Sequence, residues 1–346
     1  MTHAVTLSGG GAYGAFEVGV LKALMHGDAP ITEGVPLNPK IFTGSSAGAY
    51  LSAVLLSADA VDPAGRAGHL ERVWLEQVTD SPSRGGNGVY YLRGDPRRYL
   101  DPGWIMRRTT EDLSQFASSV MTRMAAVATS HEPLDRRAFE LFDLTVLIST
   151  DPFRDLVERT VSIEAIRHSD RLIRIAATNW KTGELVSFDN EQITHEAVLA
   201  SASIPGIFPV VRINGEPYVD GSVLMNTPFK PAIDLGADVI HVVALDPDLA
   251  KTPPPAMPNT MDTIGRMLNI TNSSRIGTDL KLVKAINAGL ASDPEHRAVH
   301  VHIYRPQVDM GGVSGMMDFS RDRMLRLIEQ GFQSAVTHNC SRSNCV

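Results

Sequence analysis

The sequence predicts an α/β fold in which a mostly parallel sheet is wrapped by helices. Two observations carry this. Twice within the first 56 residues an apolar strand runs into a glycine turn and then into an apolar helix, and Val239 to Leu245 is a near-continuous apolar run. Strand, turn, helix, repeated, is the grammar of parallel strands joined by crossover helices. An unbroken apolar strand is what a sheet covered on both faces demands.

Taken in order, Ala4 to Leu7 is the first strand, and Ala15 to Met25 is a helix with Phe16, Val20 and Leu24 four apart on one stripe. Lys40 to Thr43 is the second strand, followed by Gly44-Ser45-Ser46-Ala47-Gly48 and a helix over Ala49 to Leu56. The chain becomes irregular from Ser81 to Arg108, and Glu111 to Thr129 then reads as an amphipathic helix carrying Leu113, Phe116, Val120 and Met124. Leu172 to Thr178 and Glu184 to Phe188 form a hairpin across Lys181-Thr182-Gly183. A second hairpin joins Val210 to Ile213 with Pro217 to Val219 through Asn214-Gly215, a pair that takes the positive φ of a type I′ turn.

Five prolines between Asp246 and Asn259 mark a linker. Beyond it the pattern gives a helix over Met261 to Leu290, a strand at Val299 to Tyr304 and a helix over Arg321 to Val336. This divides the chain into a main domain, residues 1–245, and a C-terminal extension, residues 246–346, packed on it, with a flexible tail from about residue 337.

Composition narrows the function. The formal charge is -7, from 32 Lys and Arg against 39 Asp and Glu, which argues against a broad nucleic-acid footprint. No run approaches the roughly 18 apolar residues of a membrane-spanning helix, and the first residues lack a secretory pattern. Only two cysteines occur, Cys340 and Cys345, both in the polar tail where they cannot staple a core. A cytoplasmic protein with at most peripheral membrane contact is expected. No cluster with metal-ligand spacing is visible, so neither a metal nor another cofactor is expected.

Three glycine-flanked segments carry chemistry. Ser8-Gly9-Gly10-Gly11-Ala12-Tyr13-Gly14 lies between a strand and a helix, where consecutive glycines let backbone N–H groups turn toward an anion. The same spacing matches a dinucleotide fingerprint, but that requires an acid ending the second strand, and here Gly44-Ser45-Ser46 stands in its place. Gly44-x-Ser46-x-Gly48 follows an apolar strand and precedes an apolar helix, the context in which a strained turn projects a nucleophilic serine; the bland reading is a helix-capping serine. Asp220-Gly221-Ser222 ends the second hairpin and presents a carboxylate; its bland reading is a turn aspartate. None of the eleven histidines sits in a glycine-bounded loop after a strand, so no imidazole base is evident.

In this order the motifs resemble the patatin-like phospholipases. The segments Ala200-Ser201-Ala202-Ser203-Ile204-Pro205-Gly206-Ile207-Phe208-Pro209, Tyr218-Val219-Asp220-Gly221-Ser222 and Asn226-Thr227-Pro228 are also similar to family sequences, and the resemblance covers roughly residues 4 to 245. It implies a three-layer α/β/α patatin-like fold with residues 1–245 as its catalytic domain. It further implies Ser46 as nucleophile, Asp220 as partner in a Ser–Asp dyad without histidine, and an oxyanion hole drawn from Gly9, Gly10, Gly11, Gly14 and Ala47. The implied activity is phospholipase A-type cleavage of acyl esters in phospholipids or related lipids. Acyltransfer, thioester cleavage and a non-catalytic lipid- or partner-binding role remain open. Two departures stand out: Tyr13 replaces the family's basic residue in the loop, and Ser222 replaces its Gly or Ala.

The mechanism has a physical requirement. An exposed Asp, with a pKa of about 3.9, is a poor base at neutral pH, so Asp220 must be desolvated to serve. For the substrate, Arg93, Arg97, Arg98, Arg107 and Arg108 interleave with Tyr90, Tyr91, Tyr99 and Trp104, a mixture suited to a lipid headgroup zone or to a solvated loop.

Overall fold

The computed structural model describes residues 1–59, 62–93, 148–247, 260–289, 298–340 and 345–346, together with 121, 249 and 253. The helix expected over Glu111 to Thr129 lies outside these apart from Met121, as does most of the proline-rich linker and of the arginine–aromatic segment.

Among the described residues five strands pair in parallel: β1 (His3–Leu7), β2 (Ile41–Ser45), β5 (Leu172–Asn179), β9 (Val239–Val243) and β10 (His300–Tyr304). The hairpin strands β6 (Leu185–Phe188), β7 (Val211–Ile213) and β8 (Glu216–Asp220) join through antiparallel pairing. The order is β10-β9-β1-β2-β5-β8-β7, with β6 on the other edge of β5. A separate short pair joins β3 (Tyr91–Leu92) to β4 (Ile148–Ser149).

Helices cover both faces, which makes three layers. Alternating strand residues divide between two cores, as the period of two requires. Ile240 and Val242 of β9, with Val301 and Ile303 of β10, pack against α7 (Lys230–Asp234) and α8 (Thr260–Gly289) through Ala232, Ile276, Leu280 and Val283. Val243 and Tyr304 face the larger core, built with α1 (Gly14–His26), α2 (Ala47–Ser57), α3 (Pro63–Val73), α4 (Asp151–Thr160), α5 (Ile163–Arg167), α6 (His195–Ser201) and α10 (Arg321–Val336). A short α9 (Gly312–Met316) precedes α10.

The C-terminal extension is built into this architecture. β10 extends the main sheet beside β9, and α10 lies on α1 so closely that a Cβ at Gly19 would sit 1.9 Å from the Ile328 carbonyl oxygen. The tail expected to be flexible from about residue 337 is tied back at its described residues. Val346 N–H donates to the Val301 carbonyl at 3.0 Å, and Val301 N–H returns the bond at 2.9 Å.

Candidate active site

Local sequence sets the first half of the site. β2 ends at Ser45 and α2 begins at Ala47, so the chain must reverse within one residue, and Ser46 adopts φ 53°, ψ -121°. A non-glycine residue held there stores on the order of 1–3 kcal/mol of strain. Its glycine neighbours make room: a Cβ at Gly44 would lie 2.4 Å from the Gly48 carbonyl oxygen, and one at Gly48 2.5 Å from that of Leu7. Ser46 is held by its own N–H, which donates to Ser201 Oγ at 3.0 Å. Ser201 belongs to α6, inside the stretch that resembled the family, but no local pattern points to its contact with Ser46.

Asp220 ends β8 and is fully buried. Burial pushes its carboxyl up to about 6, opposed by hydrogen bonding to Ser222 and by the nearby Ser46 hydroxyl. Oδ1 accepts the Ser222 N–H at 2.8 Å. The Ser46 contact falls short of a formed hydrogen bond, which leaves Oδ2 buried with no partner among the described residues. The desolvation that a basic aspartate needs is present.

The glycine-rich segment closes over both residues. Gly9 packs so tightly that an added Cβ would lie 3.0 Å from Ser46 Cβ, 3.2 Å from Ser222 Cβ and 2.6 Å from Asn226 Oδ1. Its N–H already donates to the Asn226 carbonyl at 3.1 Å, and the Gly14 N–H is engaged by Ala12 and Gly11 carbonyls. These two glycines shape the loop and offer no free donor. The N–H groups of Gly10, Gly11 and Ala47, by contrast, have no acceptor among the described residues.

Supporting groups arrive from distant parts of the chain. Beneath the loop, Ser8 N–H donates to Glu17 Oε1 at 2.7 Å, while the Ser8 hydroxyl donates to the Val243 carbonyl at 2.7 Å. Glu17 is fully buried, and desolvation holds its carboxyl well above the usual range. Asp246 is also buried and raised to about 6, mainly by desolvation; it accepts from Asn226 at 3.4 Å and Asn272 at 3.3 Å.

Tyr13 changes meaning in three dimensions. Its hydroxyl donates to the Gly312 carbonyl at 2.6 Å, and the Arg323 guanidinium lies 5.9 Å from its ring centroid. The loop therefore has a cation beside it after all, delivered by α10 from 310 residues downstream of Tyr13.

Ser46 and Asp220 open onto one cavity of about 610 Å³. Gly9, Gly10 and Ser222 line it, and α8 contributes Ile264, Leu268, Asn272 and Arg275. On its other side Ser46 touches a narrow apolar slot of about 40 Å³ walled by Tyr50, Trp74, Phe153 and Phe208. No histidine lines either space among the described residues. His195 is the first residue of α6, behind Thr194, whose side chain accepts the Ala197 N–H at 3.1 Å.

Solved structures of two proteins are similar to this chain at low identity. VipD from Legionella pneumophila is 14% identical, with a TM-score of 0.35 over 97% of this chain and 67% of that one. The type III effector protein ExoU is 17% identical, with a TM-score of 0.35 over 99% of this chain and 53% of that one. Those values carry no argument about chemistry. The family model does more: patatin-like phospholipase matches residues 5–233, a span containing the glycine loop, the serine turn and the strand-end aspartate. On that match the chain belongs to the patatin-like phospholipase family.

Proposed function

We propose that the chain is a phospholipase A-type serine hydrolase acting on acyl esters of phospholipids or related lipids, with Ser46 and Asp220 as its catalytic dyad. The observation that carries this reading is the shared cavity: a strained serine and a desolvated carboxylate face the same space, with no histidine lining it among the described residues.

Ser46 Oγ attacks the ester carbonyl carbon and its proton passes to Asp220. The N–H groups of Gly10, Gly11 and Ala47 hold the oxyanion that develops; one such donor typically contributes about 3–4 kcal/mol to lowering the barrier. Collapse breaks the ester C–O bond, and Asp220 returns the proton to the departing alkoxide. Water then attacks acyl-Ser46, giving its proton to Asp220, and the fatty acid leaves as Ser46 Oγ is reprotonated.

Lipid suits the surroundings. The cavity lining as a whole is largely apolar, with Ile264 and Leu268 contributed by α8, and Met267 and Ile270 of the same helix expose apolar side chains. Peripheral contact with a lipid surface belongs to the same proposal, and no helix among the described residues is long and apolar enough to cross a membrane.

Labelling with a fluorophosphonate probe followed by peptide mass spectrometry tests the nucleophile. The expected adduct is on Ser46 alone and vanishes in Ser46→Ala. A wild-type protein that resists the probe while folded favours the non-catalytic binding role.

A further inference from the structure

Both cysteines of the chain meet two histidines at the C-terminal edge of the sheet, outside either cavity that Ser46 lines. His302 comes from β10, His338 and Cys340 follow the end of α10, and Cys345 is the penultimate residue. One ligand atom from each lies within 4.8 Å of all the others. Three nitrogen–sulfur distances match those of a coordination shell. His302 Nδ1 to Cys340 Sγ is 3.2 Å, Cys340 Sγ to His338 Nε2 is 3.5 Å, and Cys345 Sγ to His338 Nε2 is 3.5 Å. Around a tetrahedral zinc, with bonds of about 2.3 Å to sulfur and about 2.05 Å to nitrogen, a nitrogen and a sulfur ligand stand about 3.5 Å apart.

We propose that His302, His338, Cys340 and Cys345 form a structural Zn²⁺ site that locks the C-terminal tail onto β10. Two sulfurs and two imidazoles in a closed tetrahedron match the preference of zinc over harder divalent cations. Binding displaces one proton from each thiol. The resulting shell of two thiolates and two neutral imidazoles balances the ion's charge.

The backbone supports this role independently of the side chains. The reciprocal Val346–Val301 hydrogen bonds add a last rung to β10, and Cys345 N–H turns back to the Cys340 carbonyl at 3.4 Å. Tyr304 packs on the His338 ring with centroids 4.5 Å apart. The described residues at the two ends of the tail thus already lie where four-point ligation would hold them, with Val346 on the open edge of β10. Sequence spacing conceals the site because His302 lies 36 residues before its nearest co-ligand.

The test uses the full chain purified under reducing conditions, loaded with Zn²⁺ and freed of excess metal. About one tightly held zinc per chain is expected. Cobalt substitution should give the strong visible absorption of a tetrahedral thiolate site. Cys340→Ser with Cys345→Ser should abolish both signals while the far-ultraviolet circular dichroism stays unchanged. His338→Ala should weaken zinc binding at least about tenfold, since even outer-shell changes cost 10–100-fold. A chelator should lower the Tm of wild type but not of the double variant. Wild-type protein without retained zinc, equal zinc in the double variant, or a Cys340–Cys345 disulfide recovered from zinc-treated protein would each overturn the proposal.

Discussion

Ser45 and Asp220 sit end to end along a single edge of β5: Ser45 pairs with Ala176 in parallel register, and Asp220 pairs with Ala177 in antiparallel register. β2 therefore runs up to the point where β8 runs down to meet it. The turn after Ser45 carries Ser46, so the two side chains are forced into one cleft although 174 residues separate them. The meeting is a property of the sheet, and mobile loops are not needed to create it.

The first prediction concerns pH. Burial raises Asp220 to about 6, so a Ser46-dependent hydrolysis rate should climb through that pH and level off above it, because only the carboxylate accepts a proton. Stability has the opposite sign. A folded-state pKa above the unfolded 3.8 means that ionisation opposes folding. The penalty is absent below about pH 4, grows up to the folded pKa and is complete above it. Asp220→Asn should thus lose turnover yet gain up to about 3 kcal/mol of stability at pH 7, a gain that shrinks as the pH approaches 4. Denaturant titrations at the two pH values check this, and an Asn variant destabilised at pH 7 contradicts it.

Gly9→Ala should damage activity far more than its size suggests. The new methyl would press on Ser46 Cβ, Ser222 Cβ and Asn226 Oδ1 at once. Overpacking of this kind costs about 1–3 kcal/mol of stability, and a displacement of about 1 Å at a reacting group can cost about 100-fold in rate. Paired melting curves and esterase assays separate the two effects. An unaltered rate would show that the loop yields freely.

Glu17 offers a cleaner contrast. It is buried, held toward its neutral form, and its Oε1 accepts the N–H of Ser8 next to the glycine loop. Glu17→Gln keeps that acceptor and should stay within about 1 kcal/mol of wild type, whereas Glu17→Leu orphans a buried N–H and should lose about 1–3 kcal/mol. Chemical denaturation distinguishes them; equal damage from both substitutions would mean that the negative charge itself is required.

Lipid attachment is the fourth prediction. Met267 is 56% exposed and Ile270 49% exposed on α8, the helix that walls the cavity. Replacing both with Ser removes apolar surface without touching the core, so flotation with phospholipid vesicles should fall while hydrolysis of a soluble short-chain ester is kept. Unchanged flotation would place the contact surface elsewhere.

Much of this was legible in the sequence, for a physical reason. The strands and helices nearest the site are set by local rules: the Asn214-Gly215 turn does take positive φ at both residues, and α10 spans Arg321–Val336 as its periodicity predicts. The serine turn was readable because strain at Ser46 demands small neighbours within two residues. What escaped is long-range. Ser201 on the Ser46 N–H, Arg323 over Tyr13, Asp246 behind Asn226 and the approach of His302 to His338, Cys340 and Cys345 depend on tertiary contacts that no window of sequence encodes. The division at residue 245 reads a real break in composition, yet β10 pairs with β9 across it, because a parallel sheet recruits strands regardless of linker chemistry.

The central claim is tested most directly by incubating phospholipid vesicles with wild type, Ser46→Ala and Asp220→Asn, each shown to be folded, and identifying the products by mass spectrometry. The account predicts free fatty acid and the matching lysophospholipid from wild type only. Release of the same products by either variant at a comparable rate would contradict it.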